Sequence, residues 1–396
     1  MRTSLIEEEA LTGDRRRLSG NAVFGDGGEV PVFYEFPDFG PVAAPGDPWL
    51  PLLIAPAMAL HEDLYIDAPV SKGLLEAANE RIGPVLAGFH SEFAQVEVHA
   101  AEVVEDRAPR PAAGTAAFYS GGLDSAYMFS RQAERLSHLV YVHGFDIGPE
   151  AESTRCEVAR RIRALAERNG LELLEMSSNA RRAFAHAVQK RYDARHPVHV
   201  PFSRDRQLGN LLASFAQPLA CQLGRVVFAA SWSIHEGARI PGSHPWVEDN
   251  WSNPALAIEL DGWEADRSQK TATLARHRPE LLRTVRVCQA RPPQPDNCGR
   301  CAKCTRLRIE LAVGGVPEEN APFEGPLDHA AVRRSGIVGG GGLWRHLLAT
   351  ARESGDPEII HTIEVLTGHR KQPGALFGRT RRKLQRGARR LVRRLR

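Results

Sequence analysis

An apolar run from Ala116 to Tyr119 meets Ser120-Gly121-Gly122-Leu123-Asp124-Ser125, and a helical pattern begins near Asp124. A buried strand, a glycine-rich turn and a helix start therefore follow one another directly. Paired glycines let the backbone approach a ligand closely, and a helix N-terminus offers N–H groups to an anion. Ser120 and Ser125 add hydroxyl donors, and Asp124 adds a carboxylate able to hold Mg²⁺ beside phosphates. A bare Gly-Gly pair would read as an ordinary strand-to-helix turn. The serines and the aspartate make the string far more specific.

From Thr115 onward the chain alternates. Strands are expected at Ala116 to Tyr119, His138 to His143, Leu171 to Met176 and Arg225 to Ala230. Helices are expected at Asp124 to Leu136, Thr154 to Asn169 and Asp205 to Leu223. This order implies an α/β fold with a parallel sheet covered on both faces and ligands at the carboxyl ends of the strands. The opening loop lies at such an end.

The complete Ser120 to Ser125 string resembles the SGGxDS signature of the PP-loop ATP pyrophosphatases. The resemblance implies cleavage of ATP to AMP and pyrophosphate with adenylation of a substrate. The Lys of a Walker A loop is missing, so kinase-type phosphoryl transfer is not implied. Pyrophosphate is expected on Ser120, Gly121, Gly122, Leu123, Asp124 and Ser125, with Mg²⁺ on Asp124. Adenine is expected near the backbone of Phe118 and Tyr119 and near His143, Gly144 and Phe145. His143 reads equally as a packed histidine at a strand end.

Three later stretches add candidates. Val200-Pro201-Phe202-Ser203-Arg204-Asp205-Arg206 partly resembles a Val-Pro-x-Arg-Asn stretch of 7-cyano-7-deazaguanine synthases, which makes Arg204 a nucleotide-site candidate. The plainer reading is a charged helix start with Asp205 on the dipole. Residues 231–252 crowd Trp232, His235, Glu236, His244, Trp246 and Trp251 into a loop beyond a strand end. Such loops carry function, and His244 is the candidate within it; a Trp-rich plug between packed units is the alternative. Asp266-Arg267-Ser268-Gln269-Lys270 opens a helix, and PP-loop ligases often place a lysine at such a start. Lys270 and Arg267, one turn apart, become candidates for stabilising charge at the α-phosphate, against the reading of a solvated basic pair.

Four of the six cysteines fall at Cys288, Cys298, Cys301 and Cys304. Four thiolates in that compass close a tetrahedral site, normally structural zinc. An iron–sulfur cluster is the alternative, disfavoured because the fourth ligand lies upstream and no Pro follows the run. Cys156 and Cys221 read as incidental thiols. With the PP-loop, the Cys-x₉-Cys-Gly-x-Cys-x₂-Cys pattern and the Arg-bearing segment Arg306 to Leu311 look like 7-cyano-7-deazaguanine synthase and its relatives, over residues 115–312. That resemblance implies adenylation of a carboxylate (or an amide or carbonyl oxygen) and attack by ammonia or another amine. Two departures move the substrate question elsewhere: the N-terminal residues, and a 231–252 loop without the acidic pattern expected around a deazapurine.

Residues 1–112 are read as an N-terminal α+β domain for substrate or partner recognition, with 1 to about 20 loose and β signals leading from Asn21. Val30 to Phe36 alternates as a strand, Trp49 to Ile54 is a short apolar run, and Ser71 to Ile82 fits a helix capped by Ser71. Residues 115–312 form the PP-loop domain and 326–396 a helical extension, with helices near Asp328 to Arg334, Leu343 to Glu353 and Pro357 to Leu366. Of 51 Lys and Arg, ten lie in residues 379–396; without them 41 stand against 48 Asp and Glu. An acidic body disfavours, without closing, a nucleic-acid partner and the competing reading as a tRNA-thiolating PP-loop enzyme. The basic tail, with Leu384, Leu391 and Leu395 on one side, is able to touch an anionic surface or to serve as a solubilising end. A non-catalytic nucleotide-binding partner protein is a third reading. The acyl group, small-molecule or peptide, the amine donor and any homo-oligomer stay open. No apolar run approaches bilayer length and no signal-peptide core is visible, so a cytoplasmic location is expected.

Overall fold

The computed structural model describes residues 1–108, 113–234, 242–337 and 342–368. The basic tail, His235 and Glu236, and residues 109–112 lie outside the described residues. Among the described residues ten strands form one sheet: β1 (Arg2–Leu11), β2 (Arg15–Val23), β3 (Glu29–Pro37), β4 (Leu64–Ser71), β5 (Val98–Val104), β6 (Gly114–Phe118), β7 (His138–His143), β8 (Glu172–Ser178), β9 (Leu223–Ala229) and β10 (Ala257–Asp261). Their spatial order is β10-β9-β6-β7-β8-β3-β2-β1-β4-β5.

The five strands from β10 to β8 are parallel, as the alternation of strands and helices requires. The whole sheet is mixed, because β3 joins β8 antiparallel and β2 and β1 continue antiparallel from it. The N-terminal strands thus extend the parallel sheet of β6 to β10 instead of building a sheet of their own. The seam is pinned by side chains: Asn179 accepts from Phe33 N at 3.0 Å and donates to Pro31 O at 2.9 Å. One apolar core runs beneath the seam, from Leu18, Tyr34 and Trp49 to Val140, Phe215 and Phe228.

Several local expectations are corrected. Residues 1–20 are not loose; they form β1 and most of β2, turned through Gly13 (φ 74°) and Asp14 (φ 53°). Their charges mask the strand pattern because they pair across strands, Arg16 with Glu8 at 3.1 Å and Arg17 with Glu35 at 3.0 Å. Trp49 to Ile54 opens a helix, Trp49–Leu60, with all twelve residues buried. A helix apolar on every side shows no period to read. The single long helix expected from Asp205 is broken into Phe202–Asp205, Leu208–Ala216 and the 3₁₀ turn Gln217–Cys221, where Pro218 cannot donate to a continuing helix.

Ser71 sits before the helix Lys72–Glu76, but its hydroxyl donates to Asp47 at 2.6 Å and does not cap. The C-terminal helices His329–Arg334, Gly342–Ser354 and Pro357–Thr367 fall where expected and pack on Ile309 and Val313. Among the described residues no helix is long and apolar enough to cross a membrane.

Candidate functional site

The chain runs from β6 outward to β7 and β8, then returns to lay β9 on the other side of β6. The crevice at the carboxyl ends of β6 and β9 is therefore the switch point, the place where open α/β sheets bind ligands. Ser120 to Ser125 fills the β6 side. Gly121 takes φ 76°, a conformation that favours glycine, and Gly122 is the N-cap of the helix Leu123–Gln132. Leu123 is buried and roots the turn in the core. The Ser125 hydroxyl donates to Gly122 O at 3.0 Å and lies 3.4 Å from the Ser120 hydroxyl. Arg286 N donates to Gly121 O at 2.8 Å, so the segment leading to Cys288 braces the glycine turn from outside.

Asp124, in the first turn of that helix, is the hub. Arg267 Nη1 donates to its Oδ2 at 2.8 Å, and Lys270 Nζ stands 3.5 Å from its Oδ1. Burial acts to raise the Asp124 pKa, but Arg267, Lys270, Arg306 and Lys303 outweigh it and hold the carboxyl below its ordinary value. Lys270 is 1 % exposed and donates to Ala230 O at 2.5 Å, on the β9 side of the crevice. Both cations ride on the helix Arg267–His277, started by an Asp266–Gln269 capping box. His346 of the C-terminal helices reaches Asp266 at 2.8 Å.

The third wall is the helix Ala302–Val313, which begins at Cys301. Lys303, Arg306 and Glu310 follow at spacings of three and four, one helix face, directed to the Asp124 group. Lys303 is exposed to solvent; desolvation still lowers its pKa, Asp146 and Asp124 oppose this, and Arg267 and Arg306 add to it. Lys303 and Glu310 escaped the sequence reading. Their spacing after the cysteines was visible, but nothing in it said which way that face points.

The four cysteines come together as expected. All four sulfurs lie within 4.8 Å of one another, a set that can hold a metal ion. Backbone N–H groups already point at them: Cys301 N to Cys298 Sγ at 3.2 Å, Ala290 N to Cys288 Sγ at 3.4 Å and Gln289 N to Cys301 Sγ at 3.5 Å. Such donors favour thiolates, the form that binds metal. Cys156 is exposed and Cys221 buried, both apart from this cluster.

Other candidates lie in different company. Phe118 and Tyr119 are buried, packed edge-on against Phe228 and Phe129. His143 Nε2 meets Glu175 at 2.6 Å at the end of β7, a packed strand-end arrangement, and its other nitrogen lies 3.5 Å from Arg155. Gly144 has φ 85° and passes so close to β8 that a Cβ would stand 2.7 Å from Ser178 O. Arg204 is held by Asp205 at 2.8 and 3.0 Å. It lines a cavity of about 470 Å³ with His90, Glu92, His199 and Arg206.

His244 is the N-cap of the short helix Pro245–Glu248. Its Nδ1 accepts from Trp246 N at 3.1 Å, its ring packs 5.0 Å from Phe89, and burial lowers its pKa. Among the described contacts none joins His244 or Arg204 to the Asp124 group.

No family model, curated protein or solved structure matches the chain.

Proposed function

We propose that the chain is an ATP-splitting, AMP- and pyrophosphate-forming ligase of the PP-loop kind, acting on a carboxylate with an amine as acceptor. The observation that carries this reading is the convergence of Arg267, Lys270, Lys303 and Arg306 on Asp124 beside a glycine turn. A cationic recess at a helix start is built for a polyphosphate, and the Asp124 carboxylate within it suits a metal-bound one. ATP would lay its β- and γ-phosphates along Ser120 to Ser125. Asp124 Oδ1 accepts no hydrogen bond and fits a hard cation that takes one or two carboxylates beside phosphates. Mg²⁺ held there would neutralise charge on the leaving pyrophosphate.

A substrate carboxylate oxygen would attack the α-phosphorus, forming one O–P bond as the bond to the bridging α–β oxygen breaks and pyrophosphate leaves. The amine lone pair then attacks the acyl carbon, AMP departs with the bonding electrons, and the amine gives up a proton. Arg267 and Lys270 stabilise negative charge on the phosphoryl oxygens in the first step. The cysteine set fits structural zinc, four sulfurs closing one tetrahedron, and would fix the start of the helix bearing Lys303 and Arg306.

The test is incubation of the protein with ATP and Mg²⁺ against pools of carboxylates with ammonia or amines, and against tRNA. AMP with pyrophosphate from a carboxylate pool is the expected result. ADP, or AMP from tRNA alone, would reject the ligase reading.

A further inference from the structure

Glu310 is a buried acid to which the reaction above gives no task. It is 1 % exposed, and neither carboxylate oxygen accepts a hydrogen bond. Its Oε1 stands 3.2 Å from Arg306 Nε and 3.4 Å from Arg267 Nε. Burying a carboxylate without hydrogen bonds is costly, and a neutral side chain of similar volume packs as well or better in such places. What Glu310 contributes is therefore charge, delivered behind two of the four cations that face Asp124. Among the described residues the recess sets four cations against two carboxylates; Asp146, beyond Lys303, is already paired with Arg181 at 3.5 Å.

We propose that Glu310 is a positioning residue that sets the charge of the recess, holding the Nε sides of Arg267 and Arg306 and keeping pyrophosphate binding weak enough for the product to leave. A recess selected only to grip polyphosphate would omit this carboxylate. One that must release pyrophosphate after each turnover gains from it, because affinity spent equally on bound reactant and product slows the cycle. The proposal rests on the ATP-splitting reading only for the identity of the anion.

The test titrates inorganic pyrophosphate with Mg²⁺ into the full-length protein and its Glu310→Gln and Glu310→Asp variants at low and high salt, with steady-state AMP formation measured alongside. Glu310→Gln is expected to bind pyrophosphate about tenfold more tightly at low salt, with a steeper salt dependence. Its kcat and KM for ATP should fall together, and Glu310→Asp should return both toward wild type. Affinity within twofold of wild type, or weaker, in a Glu310→Gln protein that keeps its melting temperature and metal content would overturn the proposal. So would a wild-type protein that binds no pyrophosphate.

If Glu310→Gln does not fold, Arg306→Gln is compared with the double variant Glu310→Gln/Arg306→Gln. The double variant should bind pyrophosphate about tenfold more tightly, and equal affinity rejects the idea. Failure of the wild type to make AMP with any acceptor sinks the ATP-splitting reading, while the pyrophosphate titration still decides the role of Glu310.

Discussion

Arg267 Nη1 lies 2.8 Å from Asp124 Oδ2, joining residues 143 positions apart in the chain. The same guanidinium turns its Nε toward Glu310 at 3.4 Å. One side chain thus ties the glycine turn to the capped helix Arg267–His277 and to the helix that begins at Cys301. Three separate sequence signals become a single recess through it.

Asp124→Asn keeps the size of the side chain and removes its charge. AMP formation should fall by roughly 100-fold or more, the scale of losing one preorganised electrostatic group. Release of AMP and pyrophosphate, followed by chromatography, checks this. Turnover at the wild-type rate would remove Asp124 from the mechanism.

Lys270→Met conserves the apolar stem in a position with 1 % exposure and deletes the ammonium. The donation to Ala230 O and the charge facing Asp124 are both lost. We expect kcat to drop about 100-fold with KM for ATP changing much less, the pattern of a contact made mainly in the transition state. A rise in KM for ATP with kcat unchanged would instead mark Lys270 as a general binding group.

Replacement of Cys298 or Cys304 by Ser should reduce bound metal from about one equivalent toward none, read by elemental analysis. Nucleotide affinity should weaken in the same variants, because the helix carrying Lys303 and Arg306 starts at Cys301. A brown iron–sulfur chromophore in the purified protein would replace the zinc assignment.

Glu248 predicts the pH dependence of stability. Burial, opposed by bonds from Ser243 and from backbone N–H of His244, pushes its carboxyl up from 4.5 to about 8. The folded state holds the proton more tightly than the unfolded chain, so this contribution is complete below pH 4.5 and fades as pH rises toward 8. The melting temperature should therefore decline across that window, and Glu248→Gln should flatten the decline. An unchanged slope in the variant would show that Glu248 is not its source.

Deleting residues 1–104 would strip β3 from β8 and lay bare one side of the shared core. The remainder should be aggregation-prone or unfolded, since an exposed β8 edge offers free backbone for pairing. Trp49→Ala, at a position with 0 % exposure, should cost about 3–5 kcal/mol and melt both halves in one transition. Two separate transitions in calorimetry would contradict a common core.

Much was legible from local pattern. β6, β7 and β9 were marked by short apolar runs, β7 by six residues that prove buried throughout. A helix start at Asp266 to Lys270 was legible, though not its capping box, and the cysteine spacing announced a single cluster. β1 and β2 were hidden because paired charges of opposite sign erase hydrophobic alternation. Trp49–Leu60 was hidden for the opposite cause, apolar residues on every face. His244 illustrates a third limit: loop composition flagged it, but its contacts make it a helix cap packed on Phe89.

By itself the sequence determined the strand, turn and helix of Ser120 to Ser125 and the four sulfurs, because both are short-range patterns whose chemistry follows from spacing. Only the tertiary structure decided that Arg267, Lys270, Lys303 and Arg306 surround Asp124 and that Glu310 lies beneath two of them. It alone decided that the first 104 residues complete the same sheet. Side-chain direction across a helix, and the pairing of one strand edge with another, are set by packing between segments far apart in the chain, where no local pattern reaches.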